Sequence, residues 1–266
     1  MKIGFIGTGN MGGALARAAA KGGHTLLLAN RTPAKAEALA KELGGTVCPN
    51  AVAAEAAELL FLGVKPQGLP GLAGELAPVL QARKGNAPVV VSMATAVTLR
   101  ELDAMLGGGL PLIRIMPNTP AAVGAGTILY AAQNVTDAQL SAFRAVLAQA
   151  GLLLPLPEAQ IDAASAISGC GPAFCFQFAD ALALGGVRAG LSYPDACRLA
   201  AQTMLGAAEM LLQGGEAPDV LKMRVCSPAG TTIEGVLALE QGGFSYTVQN
   251  AVTAAYRRTV DMTKKG

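Results

Sequence analysis

Tryptophan is absent, histidine occurs once, at His24, and charged residues make up only 14% of the 266-residue chain. The five cysteines, Cys48, Cys170, Cys175, Cys197 and Cys226, are odd in number and never spaced as CxxC. Neither a disulfide framework nor a zinc site is expected, and no metal is assigned. A net charge of +2 without any Lys/Arg run leaves no footprint for nucleic acid or an anionic membrane. No run reaches about 18 uninterrupted apolar residues. The opening "MKIGFIGTGN" enters a glycine turn with no apolar core and cleavage site. Neither a span nor an export signal is expected, and the cytoplasm is the expected compartment.

What is present is apolar: 52% of the residues, enough for much internal helix packing and a buried subunit interface. The first half alternates short β-rich runs with helical segments. "KIGFIG" precedes Asn10 to Lys21 and "TLLLAN" precedes Pro33 to Leu43; "LLFLGV", "PVVVSM" and "LPLIRIM" follow. Continuous apolar strands separated by helices predict an α/β, Rossmann-like unit with a parallel sheet covered on both faces. Thr98 with Glu101, and Thr136 with Gln139, have capping-box spacing. From Glu158 onward only helical periodicity remains, with Ser192 and Pro194 opening one helix and Gly214 and Gly215 closing it. The expected organisation is a dinucleotide-binding domain over residues 1–157 and an all-α dimerisation and substrate domain over 158–266, joined at "PLPEAQ".

"GFIGTGNMG" places Gly7, Gly9 and Gly12 as GxGxxG directly after the first strand and at the opening of the first helix. There, glycines permit a tight turn and close approach of a pyrophosphate to the positive helix end. At the end of the second strand, where an acidic residue would hold an unphosphorylated ribose, stands Asn30, followed by Arg31. Arg31 could pair with a 2′-phosphate, which favours NADPH while leaving NADH possible; it also reads as a solvated turn residue. The turns "GVKPQ" and "RIMPNTP" lie at strand carboxyl ends and should border the cofactor, the second nearer its reacting ring.

A nicotinamide cofactor implies hydride transfer to an acceptor that must be made electrophilic. No tyrosine is followed by lysine as YxxxK, and no lysine lies between Lys84 and Lys222, which removes the proton donor of a β-hydroxyacid dehydrogenase. His24 falls at the wrong end of the sheet. A protonated cyclic imine is already a cation and asks only for orientation and a seat for any carboxylate. "SPAGTTIEG", Ser227 to Gly235, can supply these: Thr231 and Glu234 have capping-box spacing, so a helix should start there with free amides. A reductase of another imine and a non-catalytic dinucleotide-binding regulator are alternatives on these residues alone.

The sequence resembles the pyrroline-5-carboxylate reductase family through "GFIGTGNMG", "VKP", "MPNTP", "SGCGPAF", "QTMLGAAEML" and "SPAGTTIEGVLALE". The resemblance implies NADPH-dependent formation of L-proline, the last biosynthetic step. It implies a nucleotide turn at Ile6, Gly7, Thr8, Gly9, Asn10 and Met11, an adenosine contact at Asn50, and a contact near the nicotinamide at Gly63, Val64, Lys65 and Pro66. Thr232 matches the threonine that bonds the substrate ring nitrogen. Ser227, Ala229, Gly230 and Thr231 match the loop that seats its carboxylate. Family members often carry glycine at Ala229 and serine at Cys170. They interlock their C-terminal helices into a dimer with the site across that interface, so at least a homodimer is expected.

Overall fold

The computed structural model describes residues 1–83 and 85–263; residues 264–266, the end of the expected second domain, lie outside them. The described residues form two compact units, Gly171–Ala255 and the remainder.

The first unit is built on one sheet of strand order β3-β2-β1-β4-β5-β6-β7-β8. Its elements run β1 (Lys2–Ile6), α1 (Asn10–Ala20), β2 (Thr25–Ala29), α2 (Pro33–Leu43), β3 (Thr46–Val47), α3 (Asn50–Ala56), β4 (Leu59–Leu62) and α4 (Leu69–Ala82). They continue with β5 (Val89–Ser92), α5 (Leu99–Met105), β6 (Leu112–Met116), β7 (Gly126–Gln133), α6 (Asp137–Leu147), β8 (Gly151–Pro155) and α7 (Glu158–Ser168). β1 to β6 are parallel, and all but the short exposed β3 feed alternate side chains to two cores. Phe5, Phe61, Val91 and Ile113 fill one face; Ile6, Leu62, Val90 and Leu112 fill the other. Phe5 faces Phe61 across the β1/β4 pair with ring centroids 4.6 Å apart. The capping boxes at Thr98 and Thr136 both form, opening α5 and α6.

β7 and β8 are additions to the sequence-based reading. β7 runs antiparallel to β6 and pairs in parallel with β8, so the sheet is mixed at this edge. Gly126 and Gly151 face each other where that pair starts, and a Cβ on Gly151 would overlap the Gly126 backbone.

α7 packs with this sheet, although helical periodicity alone begins the second domain at Glu158. The cause is Arg114, buried in the middle of β6. Its guanidinium pairs with Asp162 at 2.5 Å and Glu158 at 3.4 Å, both on α7, and Glu158 also accepts the Leu99 amide at 2.6 Å. A buried guanidinium must be paired where it lies, so α7 is bound to the sheet. The compact division falls after Cys170.

The second unit contains α8 (Gly171–Arg188), α9 (Tyr193–Gly214), α10 (Pro218–Val225), α11 (Thr231–Gln241) and most of α12 (Phe244–Thr263). Ser192 caps α9 through the Asp195 amide, and Gly215 ends it in the left-handed region, as the sequence indicated. α8 and α9 meet through small residues: a Cβ on Gly186 would lie 3.1 Å from that of Ala196. The Tyr193 hydroxyl donates to Asp180 at 2.8 Å, and this bond pushes its pKa up to about 12. Large apolar side chains stay uncovered, Phe176 at 70% and Leu212 at 81% exposure, which is how a buried subunit interface looks in a single chain. Glu158–Arg188 is also apolar enough by length and composition to cross a membrane, with mean hydropathy 1.3, but the chain breaks at Gly169 and Cys170 between α7 and α8.

Candidate active site

At the carboxyl end of β1 the chain turns through Gly7, Thr8 and Gly9 into α1. Gly7 has φ +98, and a Cβ there would meet the Gly63 carbonyl oxygen at 2.5 Å. A Cβ on Gly63 or on Gly12 would in turn overlap the Gly7 carbonyl. The turn is pinned by the Gly7 amide on Ala29 O at 2.8 Å, the Gly63 amide on Ile6 O at 2.7 Å, and the Thr8 amide on Asn30 Oδ1 at 3.0 Å. Asn30 also donates to Thr32 O at 3.0 Å, so it braces the turn.

Gly9 differs from its neighbours. It is the N-cap of α1 with φ −70, has no side-chain cap, and a Cβ on it would meet nothing within 4 Å. The first turn of α1 contains no acid, so the amides of Asn10, Met11 and Gly12 face an open cradle. The Thr8 hydroxyl is buried with no hydrogen-bond partner among the described residues. An uncapped helix start, a cleared Cβ position and an orphaned hydroxyl fit a dinucleotide's pyrophosphate.

The other residues expected to hold the nucleotide lie along the following elements. Ile6 is buried beneath the turn, while Asn10 is exposed and Met11 half-buried. Arg31 is exposed, and among the described residues it has no ion-pair partner. Next to it stand Thr32, the N-cap of α2, and Lys35 in that helix's first turn. Asn50 opens α3 and donates to Glu75 at 3.0 Å, which leaves its carbonyl oxygen for a ligand. After β4, Val64 packs into the core, Lys65 is exposed, and Pro66 starts a 3-10 turn. In "MPNTP", Asn118 is not available: its oxygen accepts the Thr127 amide at 2.8 Å and its nitrogen donates to Ser168 O at 2.9 Å.

In the second unit, Ser227 to Gly230 forms a β-turn closed by the Gly230 amide on Ser227 O at 3.0 Å. Pro228 stands at its second position and Ala229, at the third, has φ +54, which makes it a type II turn with alanine where glycine is favoured. The expected capping box at Thr231 does not form. Gly230 is the N-cap of α11, with φ −83 and ψ 169, so Thr231 already has helical geometry and its hydroxyl stands one residue too late to cap. Gly230 contributes clearance instead of a donor, since its amide is used and a Cβ on it would overlap the Ser227 hydroxyl. The free donors are the amides of Thr231, Thr232 and Ile233, with the hydroxyls of exposed Thr231 and half-buried Thr232 beside them. Among the described residues, no cluster of three or more His, Cys, Asp or Glu could hold a metal.

Fold and crevice first define a class: a Rossmann-type dinucleotide-binding protein with a helical second unit. A family model described as pyrroline-5-carboxylate reductase dimerisation matches residues 158–262, and one described as NADP oxidoreductase, coenzyme F420-dependent, matches residues 2–96. The pyrroline-5-carboxylate reductase of Synechocystis sp. is 39% identical over 274 residues, covering 100% of this chain and 99% of that protein. Two solved structures are similar throughout. The Plasmodium falciparum pyrroline carboxylate reductase with NADP bound gives a TM-score of 0.86 at 30% identity, covering 99% of both chains. The Coxiella burnetii pyrroline-5-carboxylate reductase gives 0.90 at 31% identity, covering 97% of both. The chain belongs to the pyrroline-5-carboxylate reductase family.

Proposed function

We propose that this protein reduces 1-pyrroline-5-carboxylate to L-proline with NADPH, working as a homo-oligomer of at least two chains. The observation that carries the reading is the uncapped start of α11, free amides beside two hydroxyls, in a chain that matches these reductases end to end. NADPH, when bound, supplies the hydride that adds to the C=N carbon. The protein's task is then to hold and orient. The uncapped start of α1 takes the pyrophosphate, Arg31 and Asn30 the ribose 2′ side, Asn50 the adenosine, and the Gly63 to Pro66 turn the nicotinamide side.

In the second unit, the Thr231 and Thr232 amides, with Ser227 and the Ala229–Gly230 turn, seat the carboxylate. The Thr232 hydroxyl orients the ring nitrogen. An iminium brings its own positive charge, so no side-chain acid has to stand at the carbon. Residues 1–157 serve the nucleotide and residues 158–266 the substrate and the dimer, with the substrate turn near the subunit interface. The match to the dimerisation model over 158–262 and the uncovered apolar helices of the second unit support this division. All five thiols are free, which fits the reducing cytoplasm. A net charge of +2 spread over the chain supports small anionic partners over nucleic acid or a membrane surface.

The test is NADPH oxidation by the purified protein with and without pyrroline-5-carboxylate, with proline measured as product. Oxidation that does not depend on the imine, or no proline, removes the proposal.

A further inference from the structure

We infer that Asn118 is a positioning residue for hydride transfer, holding the last carbonyl of α7 beside the half of the crevice that takes the nicotinamide. The inference rests on the functional reading above. In a sheet of order β3-β2-β1-β4-β5-β6 the strand order reverses at β1, so the adenosine half of a dinucleotide lies over β1 to β3 and the nicotinamide half over the ends of β4 to β6.

The β5 and β6 ends touch, the Thr95 hydroxyl lying 3.9 Å from Met116 Sδ. Gly169 belongs to the same cluster, a Cβ on it lying 3.9 Å from Met116 Cε. The Gly169 and Cys170 backbone, just beyond α7, therefore lies against this half of the crevice. Two bonds to Ser165 O hold it from within, from the Gly169 amide at 2.8 Å and the Cys170 amide at 3.3 Å. From outside, among the described residues, its hydrogen bond runs through Ser168 O, a carbonyl that α7 itself leaves unpaired and to which Asn118 donates.

Asn118 is 8% exposed, and its two partners fix which way its amide points. Thr127 offers an N–H and Ser168 a carbonyl, so one oxygen and one NH2 are required together. Aspartate matches the first partner and repels the second. Asn118→Asp thus breaks the Ser168 contact while keeping the Thr127 contact, and Asn118→Ala breaks both.

The experiment compares wild type with N118D and N118A in three measurements: NADPH affinity, steady-state kcat and KM for pyrroline-5-carboxylate, and hydrogen exchange of the Gly169 and Cys170 amides. The phosphates are held at Gly9, so NADPH affinity should stay within about threefold. Misplacing the crevice wall should lower kcat about tenfold or more in both variants, with faster exchange at the two amides.

Wild-type kcat in N118D overturns the inference. So does a loss of NADPH affinity that matches the fall in kcat, which assigns Asn118 to cofactor binding, or failure of both variants to fold, which assigns it to stability alone. If wild type itself does not reduce the imine, the functional reading fails instead, and the exchange measurement still decides the clamp.

Discussion

Gly9 and Gly12 belong to the same motif, yet the structure assigns them opposite roles. Alanine at Gly9 needs no backbone change, since φ is −70 and the new Cβ meets nothing within 4 Å. Removing glycine's freedom in the unfolded chain should stabilise the protein by about 0.4–1 kcal/mol, a rise of roughly 1–4 °C in Tm for a unit of this size. The same methyl enters the cradle in front of the α1 amides. Displacing a phosphate from one charge-assisted hydrogen bond costs about 1.5–3 kcal/mol, so NADPH should bind about 10- to 150-fold more weakly. In Gly12→Ala the methyl overlaps the Gly7 carbonyl, which the Gly7 bond to Ala29 prevents from moving. Overpacking of this kind costs about 1–3 kcal/mol, and Tm should fall. Thermal melting and fluorescence titration with NADPH separate the two variants. A G9A protein that melts several degrees below wild type, or that binds NADPH equally well, refutes the assignment of Gly9 to the ligand.

Thr232→Ala should lower turnover about 10- to 100-fold, the size of one orienting hydrogen bond, with NADPH affinity and Tm unchanged; normal turnover would remove Thr232 from the mechanism. Ala229→Gly relieves a left-handed alanine worth about 1–2 kcal/mol, offset by about 0.4–1 kcal/mol of glycine entropy, so denaturant melts should show a small gain and never a loss. Arg114→Met leaves Glu158 and Asp162 without their cation and should cost about 3–5 kcal/mol in urea unfolding, a result contradicted by a neutral change. Glu101 accepts the Thr98 amide and hydroxyl, and these bonds lower its pKa. Its contribution is present above the ordinary carboxylate range and lost as pH falls through the lowered value. The stability gap between wild type and Glu101→Gln should therefore be widest near neutral pH and close in acid; a gap constant with pH would contradict this.

What could be read from the sequence was local. Gly7, Gly9 and Gly12 lie within six residues, and the Thr98 and Thr136 boxes within four each, so spacing alone identifies them. Arg114 gave no such signal, because its partners are 44 and 48 residues away and a single arginine does not break an apolar strand. β7 was hidden for a related reason: "GTILYAAQ" has a weak strand composition, and its pairing with β6 decides its state. The close approach of Gly63 to the Gly7 carbonyl was equally invisible, since only the folded sheet brings the two together.

The start of α11 shows how a correct pattern can give a wrong detail. Thr231 and Glu234 have the same spacing as Thr98 and Glu101, but Gly230 takes the cap and the hydroxyl becomes free. α5, α6 and α9 are closed by Thr98, Thr136 and Ser192. α2, α4 and α10 carry proline in their first two positions, and α3 and α7 follow a proline N-cap. Among the described helices with a described cap, only α1 and α11 start from glycine with neither a side-chain cap nor a proline. An unused set of amides at a helix start is costly unless water or a ligand completes it. The chain leaves such sets open at the two positions where an anion, pyrophosphate at one and carboxylate at the other, is required by the proposed reaction.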